Sequence, residues 1–425
     1  MLKKVIFTFL ISLLFLAGAQ TCFSIQPPEA YFTYSPLEPF QSTTVTFNAS
    51  ESYDPDGYII SYKWNFSDGT PEIVETDPIT THSFTLSGTY IVTLNVTDNE
   101  GLWCTTTKPI NILGLLKVTV TADKTIYNPG QSVRVSGNLT LGQSPVPDGL
   151  VGLQTNNPLN EEFILRTLPT GATPPSNPLV EILEVLPCDS YLNPKYVFER
   201  GKLAYFKVTF KNNDNDSRTV MATINIYDVK TVPFFATILV VMEVSPGSTS
   251  WASTEVLIPD LATLGNATVY ASLFDKLPKN GGTPYCPEKS ATFTISVGGG
   301  GASTTTTSTS KIVYFTSTEG TYSLLFKLPS TEGYRAPSGQ YTAYSTSRYL
   351  NRPVATNSTT FTIFLLGDIN GDGIINVLDA ILLAKAFGSK PGDPNWDPRA
   401  DLNKDNVVNV LDAIILAANF GKKTG

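Results

Sequence analysis

Beyond residue 26, apolar side chains recur at every second position in short runs separated by turn clusters, and helical spacing enters only after Gly367. A period of two is the mark of strands with one face buried and one face wet. Thr44–Phe47 and Tyr90–Val96 are two such runs. A chain written this way builds sheets, and with 16% charged residues it has little material for long solvated helices. Its 425 residues correspond to about three domains at roughly 150 residues each, or more if they are small β-modules. With 29 basic and 37 acidic residues the net charge is -8, which argues against nucleic acid or anionic lipid as a partner. A single histidine, His82, leaves no basis for histidine-rich zinc sites, and four cysteines exclude a disulfide-dense scaffold.

Lys3 and Lys4 precede an apolar run from Val5 to Gly18, and Ala17-Gly18-Ala19 offers small residues for cleavage. This order is that of a secretory signal peptide over residues 1–19, with the cut no later than 24. An uncleaved N-terminal anchor is the alternative, although the run is shorter than the roughly 20 residues a membrane span requires. No second span follows in the sequence. The expectation is an extracellular chain, held at the cell surface through partners. An oxidising compartment permits disulfides, and Cys188 and Cys286 lie near the two ends of a β-segment at 179–297, so they are expected to pair.

The first β-segment, 27–113, carries Ser52-Tyr53-Asp54-Pro55-Asp56-Gly57, Tyr62-Lys63-Trp64-Asn65-Phe66-Ser67-Asp68-Gly69-Thr70, His82-Ser83-Phe84, Gly88-Thr89-Tyr90 and Val96-Thr97-Asp98-Asn99. In order and spacing these resemble the PKD domain, which implies an immunoglobulin-like β-sandwich with Trp64 and Phe66 on the core face. The fold alone implies no activity. Strand text resumes over 117–168, where Tyr127–Val133 and Val135-Ser136-Gly137 resemble the opening of macroglobulin-like and other bacterial Ig-like surface modules. Pro169–Pro178 reads as a linker or long loop. The 179–297 segment resembles adhesion-type Ig-like domains of prokaryotic surface proteins, and its runs Ala204–Phe210 and Val220–Tyr227 flank an Asn/Asp-rich turn, an expected hairpin. That turn reads as solvated rather than metal-binding. Residues 298–310 (GGGGASTTTTSTS) are a flexible spacer. Residues 311–366 are strand-like again; they form either a separate small domain or the completion of an earlier sandwich into which the preceding segment is inserted. The fold class expected is mainly β: tandem Ig-like sandwich modules followed by a small α-helical module.

That last module is an internal duplication. Gly367–Gly388 and Ala400–Gly421 share 13 identities in 22 positions. Oxygen-bearing side chains recur at loop positions 1, 3, 5, 9 and 12: Asp368, Asn370, Asp372, Asn376 and Asp379, then Asp401, Asn403, Asp405, Asn409 and Asp412. Calcium takes six to eight oxygens, and a 12-residue loop adds a backbone carbonyl from position 7, here Ile374 and Val407. Gly373 makes the sharp turn at position 6, where Asn406 adopts the same left-handed geometry at modest cost. Each loop runs into an apolar segment, in which the spacing of Leu378, Ile381 and Leu382, and of Leu411, Ile414 and Ile415, gives one apolar helix face.

Loop plus exiting helix, twice, with Asp rather than Glu at position 12 and no incoming helix before the first loop, resembles the type I dockerin over 367–421. The resemblance implies two calcium ions and a cohesin-like partner module, with partner-reading positions at Val377, Leu378, Val410 and Leu411. Those Val-Leu pairs also suit a core between the helices, and both readings stand at this level. Catalysis has no visible seat. A glycosidase needs two carboxylates flanking a cleft, and Glu181, Glu184, Glu199 and Glu243 sit in strand text without one. A serine triad would have to use His82, already placed by the PKD-like pattern. The sequence therefore points to a secreted, non-catalytic surface or assembly protein. The alternative is a component, enzyme or carbohydrate-binding subunit, of an extracellular polysaccharide-degrading complex. A cell-surface glycan is a second partner class, for which 19 tyrosines leave room.

Overall fold

A computed structural model describes residues 25–171, 177–260, 262–297, 311–312, 320–329, 339–350 and 352–422. The expected signal peptide, the centre of the expected Pro169–Pro178 linker and the expected spacer at 298–310 lie outside these residues. The chain divides into two compact units between Gly114 and Leu115.

The first unit is an antiparallel sandwich. One sheet has three strands, Thr33–Ser35, Thr44–Asn48 and Ile79–Ser83; the other has four, in the order Ile73–Glu75, Ile59–Asn65, Gly88–Asp98 and Trp103–Ile112. Alternation places Phe47, Trp64, Phe66, Leu94 and Val96 inward, where they pack with Phe32 and Phe84. Trp64 and Phe66 thus occupy the core face assigned to them. His82 stacks on Phe66 with ring centroids 3.9 Å apart, and its Nε2 lies 2.7 Å from Asp68 Oδ2, tying the 67–70 turn to the core.

The second unit answers the question left open for residues 311–366. Ser132–Leu141 pairs antiparallel with Thr321–Lys327, and Leu150–Asn156 lies between Glu162–Pro169 and Gly339–Ser347. The two halves therefore build one sandwich, its core shared by Val133, Val135, Leu153, Tyr322, Phe326, Tyr341 and Phe361. The segment between them forms a second sandwich with a separate core. A small third cluster, Leu165, Met221, Phe274 and Leu277, joins residues of both.

Two expectations are corrected in the inserted sandwich. Leu203–Asn212 and Arg218–Tyr227 are not a hairpin: the first pairs with Val180–Cys188 and Thr249–Leu257, the second with Pro233–Val244 and Gly265–Phe274. Arg218–Tyr227 is buried on both faces beyond its first two residues, so it takes an interior place in the larger sheet, with ladder partners on both edges. The Asn/Asp turn crosses between sheets, with Asn212 Nδ2 donating to the carbonyls of Asp216 and Val244 at 2.8 Å each. The expected Cys188–Cys286 disulfide is not made; both thiols are buried and free. Cys286 sits against the backbone of Ile182, whereas Cys188 closes the same strand six residues on. At about 3.3 Å per residue that is roughly 20 Å, far beyond the ~7 Å between Cα atoms that a disulfide spans.

Candidate calcium loops and docking face

The two copies of the duplication end in helices α1 (Val377–Ala386) and α2 (Val410–Asn419). Both begin with the same capping box. Asn376 Oδ1 accepts the Leu378 N–H at 2.7 Å while Asp379 Oδ2 accepts the Asn376 N–H at 2.8 Å; Asn409, Leu411 and Asp412 repeat the pattern. Asp379 and Asp412 are fully buried. Their second oxygens accept from the loop start, Asp379 Oδ1 from Ile369 and Asn370 and Asp412 Oδ1 from Leu402 and Asn403. Position 12 therefore ties the first turn of each loop to its helix.

At position 1, Asp368 accepts the N–H groups of Gly371 and Gly373, both at 2.8 Å, and Asp401 accepts those of Asp405 at 3.2 Å and Asn406 at 2.9 Å. Asn370 and Asp372 face each other at 2.7 Å, and Asn403 and Asp405 at 2.8 Å. The position-7 carbonyls turn toward position 9, with Ile374 O accepting from Asn376 Nδ2 and Val407 O from Asn409 Nδ2. Burial pushes the Asp368 carboxyl above its ordinary value. The amides of Gly373 and Gly371 oppose this, and the charges of Asp379 and Asp372 add to it. Carboxylates that repel at the mouth of a loop of neutral oxygen donors are the donor set a hard divalent cation fits. The ion would be held by Asp368, Asn370, Asp372, Ile374 O, Asn376 and Asp379 in one loop and by their counterparts in the other, and it would supply the charge that draws the carboxylates together.

The apolar face of each helix is split between core and solvent. The residues turned inward are Asp379, Leu383 and Ala386 on α1 and Asp412 and Leu416 on α2. Leu382 and Ile415 pack partly against this core, while Leu378, Ile381, Leu411 and Ile414 are exposed. The reason is geometric. Position 12 must face the loop, and residues four and seven further on share its side of the helix, which rotates positions 10, 11 and 14 outward. Val377 and Leu378, and Val410 and Leu411, stand open to solvent at 61%, 52%, 59% and 51%, and Phe387 and Phe420, the residues that cap the far ends of the two helices, are exposed as well.

A second candidate cation cluster lies in the first unit. One carboxylate oxygen each of Asp54, Asp98 and Glu100 lie within 4.8 Å of one another. Asp98 is fully buried; its Oδ1 accepts the N–H groups of Glu100 and Leu102, and its Oδ2 has no hydrogen-bond partner. Gly57 closes over the cluster, where any Cβ would collide with Asn99 Oδ1 and Asp54 Oδ2. Read along the sequence, Asp54-Pro55-Asp56-Gly57 is only a turn. The pairing of Ile59 with Asp98 brings the distant acids together.

Comparison with known proteins agrees with this layout. Residues 26–112 match the PKD domain and residues 366–420 the dockerin type I domain. A microbial collagenase of Vibrio alginolyticus is 42% identical over 72 residues, 17% of this chain and 8% of that protein. Collagenase ColA of Clostridium perfringens is 38% identical over 69 residues, 16% of this chain and 6% of that protein. The chain thus spans less than a tenth of either collagenase, and the likeness is confined to PKD-like parts. The PKD1 domain of the Vibrio cholerae metalloprotease PrtV is 33% identical, covers 20% of this chain and 98% of its own, and superposes with a TM-score of 0.18. The chain carries a PKD domain and, at the other end, a type I dockerin, a module that binds calcium and docks to cohesin modules.

Proposed function

We propose that this chain, with a PKD domain in its first unit and a dockerin closing its second, is an exported, non-catalytic assembly protein. Its dockerin takes two calcium ions and seats the β-modules on a cohesin-like partner at the cell surface. The observation that carries this reading is the pair of apolar faces, Val377-Leu378-Ile381 and Val410-Leu411-Ile414, exposed next to the two loops. Apolar patches left uncovered and rimmed by polar residues mark protein interaction sites. Calcium acts there indirectly: it fixes the loop, the loop fixes Asp379 and Asp412, and these set the rotation of each helix. Dockerin and PKD modules are typical of extracellular proteins, and no described helix is long and apolar enough to cross a membrane. The test is co-purification of a recombinant cohesin with the full chain in millimolar calcium and in excess chelator. Retention only with calcium supports the reading; equal retention, or none in calcium across a cohesin panel, rejects it.

A glycan partner rests on a separate feature. Trp103 is exposed on the outer face of the four-stranded sheet, beside a shallow depression lined by Lys63, Asn65, Glu72, Asn95 and neighbouring threonines. An open indole with amide and charged groups around it suits a sugar ring. Polysaccharide pull-down with wild type and Trp103→Ala separates binding from its absence, and release of reducing ends would reveal the catalytic alternative.

A further inference from the structure

Both loops offer the same donors at every ligand position, so any difference in their affinity for calcium must come from residues that do not touch the ion. Positions 4 and 6 are left-handed in both. In the first loop they are Gly371 at φ +77° and Gly373 at +81°; in the second they are Lys404 at +60° and Asn406 at +65°. Glycine holds this conformation freely, asparagine at small cost, and lysine at a real cost because its Cβ crowds the carbonyl oxygen. The position-1 carboxylate reflects the difference: Asp368 is wrapped by two amides at 2.8 Å, whereas Asp401 takes its contacts at 3.2 and 2.9 Å and none from the Lys404 amide.

The loops are also clamped to each other. Ile375, at position 8 of the first, exchanges backbone hydrogen bonds with Lys422 and Gly421 beyond α2, both at 2.8 Å. Val408, at position 8 of the second, does the same with Gly388 and Ser389 beyond α1, at 2.7 and 3.1 Å. Neither loop is complete until the other repeat's helix has ended in its place.

We infer that the second loop is the weak half of the module and that Lys404, through its left-handed backbone, sets the calcium concentration at which the whole docking end orders. This rests on the calcium reading above. Replacing Lys404 by Gly releases the strain, while glycine's greater freedom in the unloaded chain takes part of the gain back. The net effect on a coupled two-loop midpoint is about two- to fivefold. The experiment follows ellipticity at 222 nm of the full chain during calcium titration; among the described residues α1 and α2 are the α-helices. K404G lowers the midpoint by that factor, K404Q, which removes the charge but keeps the Cβ, by less than half as much, and G371K in the first loop raises it. Equal shifts for K404G and K404Q, or none for K404G, overturn the inference while leaving calcium binding intact. A wild-type chain with no calcium response, matching D368A/D401A, overturns the calcium reading itself.

Discussion

Arg166 and Glu288, 122 positions apart, form a buried two-pronged ion pair between the two sandwiches of the second unit, with Arg166 Nε donating to Glu288 Oε2 at 2.8 Å. The guanidinium lies 3.5 Å from the centroid of the Tyr270 ring. Burial works against its charge, but Glu288 and the surrounding tyrosines hold the arginine above its ordinary value. Removing one partner strands a charge in the interior and costs about 3–5 kcal/mol, whereas replacing both with apolar residues of similar volume is far milder. Arg166→Met and Glu288→Leu alone are each expected to lower the denaturation midpoint of the second unit sharply, and the double variant to recover most of the loss. A double variant as unstable as the worse single one would contradict this.

Calcium should decide whether the duplicated module folds. It spans 55 residues, so its core is small. An ion present at 100-fold excess over its dissociation constant adds about 2.7 kcal/mol per site. Excess chelator is expected to remove the helical signal, and Asp368→Ala with Asp379→Ala to disable the first loop as Asp401→Ala with Asp412→Ala disables the second. Unchanged helicity in chelator refutes it.

The docking faces give a separable phenotype. Leu378→Asp and Leu411→Asp change exposed positions, so each should stay within about 0.5 kcal/mol of wild-type stability. Their combination is expected to abolish cohesin capture with the calcium midpoint of helicity preserved, as measured by pull-down and circular dichroism on the same preparations.

At the Asp54, Asp98 and Glu100 cluster, calcium is expected to slow amide exchange at Tyr58 and Leu102, which donate to Asn99 and Asp98 at 2.8 Å. Asp98→Asn keeps the acceptor for Leu102 but removes the charge, so the difference between calcium and chelator should vanish in that variant. Mass-spectrometric hydrogen exchange on peptides covering 58 and 102 reads this directly.

The Asp68–His82 contact carries a pH signature. Burial acts to raise the Asp68 carboxyl, but hydrogen bonds from Thr70 and His82 outweigh it and hold the group below its ordinary value. A depressed acid stabilises the fold above its unfolded pKa, about 3.9, and loses that contribution as pH falls through the folded value. Asp68→Asn should therefore lower the melting temperature of the first unit near neutrality, and the gap to wild type should close below about pH 4. A gap unchanged from pH 7 to 3 would rule this out.

Sequence alone determined the strand-rich class and the spacing of both oxygen-donor sets, because these are written in local periodicity and a short-range repeat, while the PKD and dockerin ends were legible through the resemblance of their motifs to those families. Three things required the tertiary structure. Thr321–Lys327 finds Ser132–Leu141 across an entire inserted sandwich, a choice made by sheet pairing that no local pattern encodes. Arg218–Tyr227 leaves its neighbour for another sheet, where it has ladder partners on both edges and cover over both faces, an environment set by chain segments distant in sequence. The helix faces turned outward because a single buried aspartate at position 12 fixes the rotation of each helix, overriding the apolar spacing that the sequence displays.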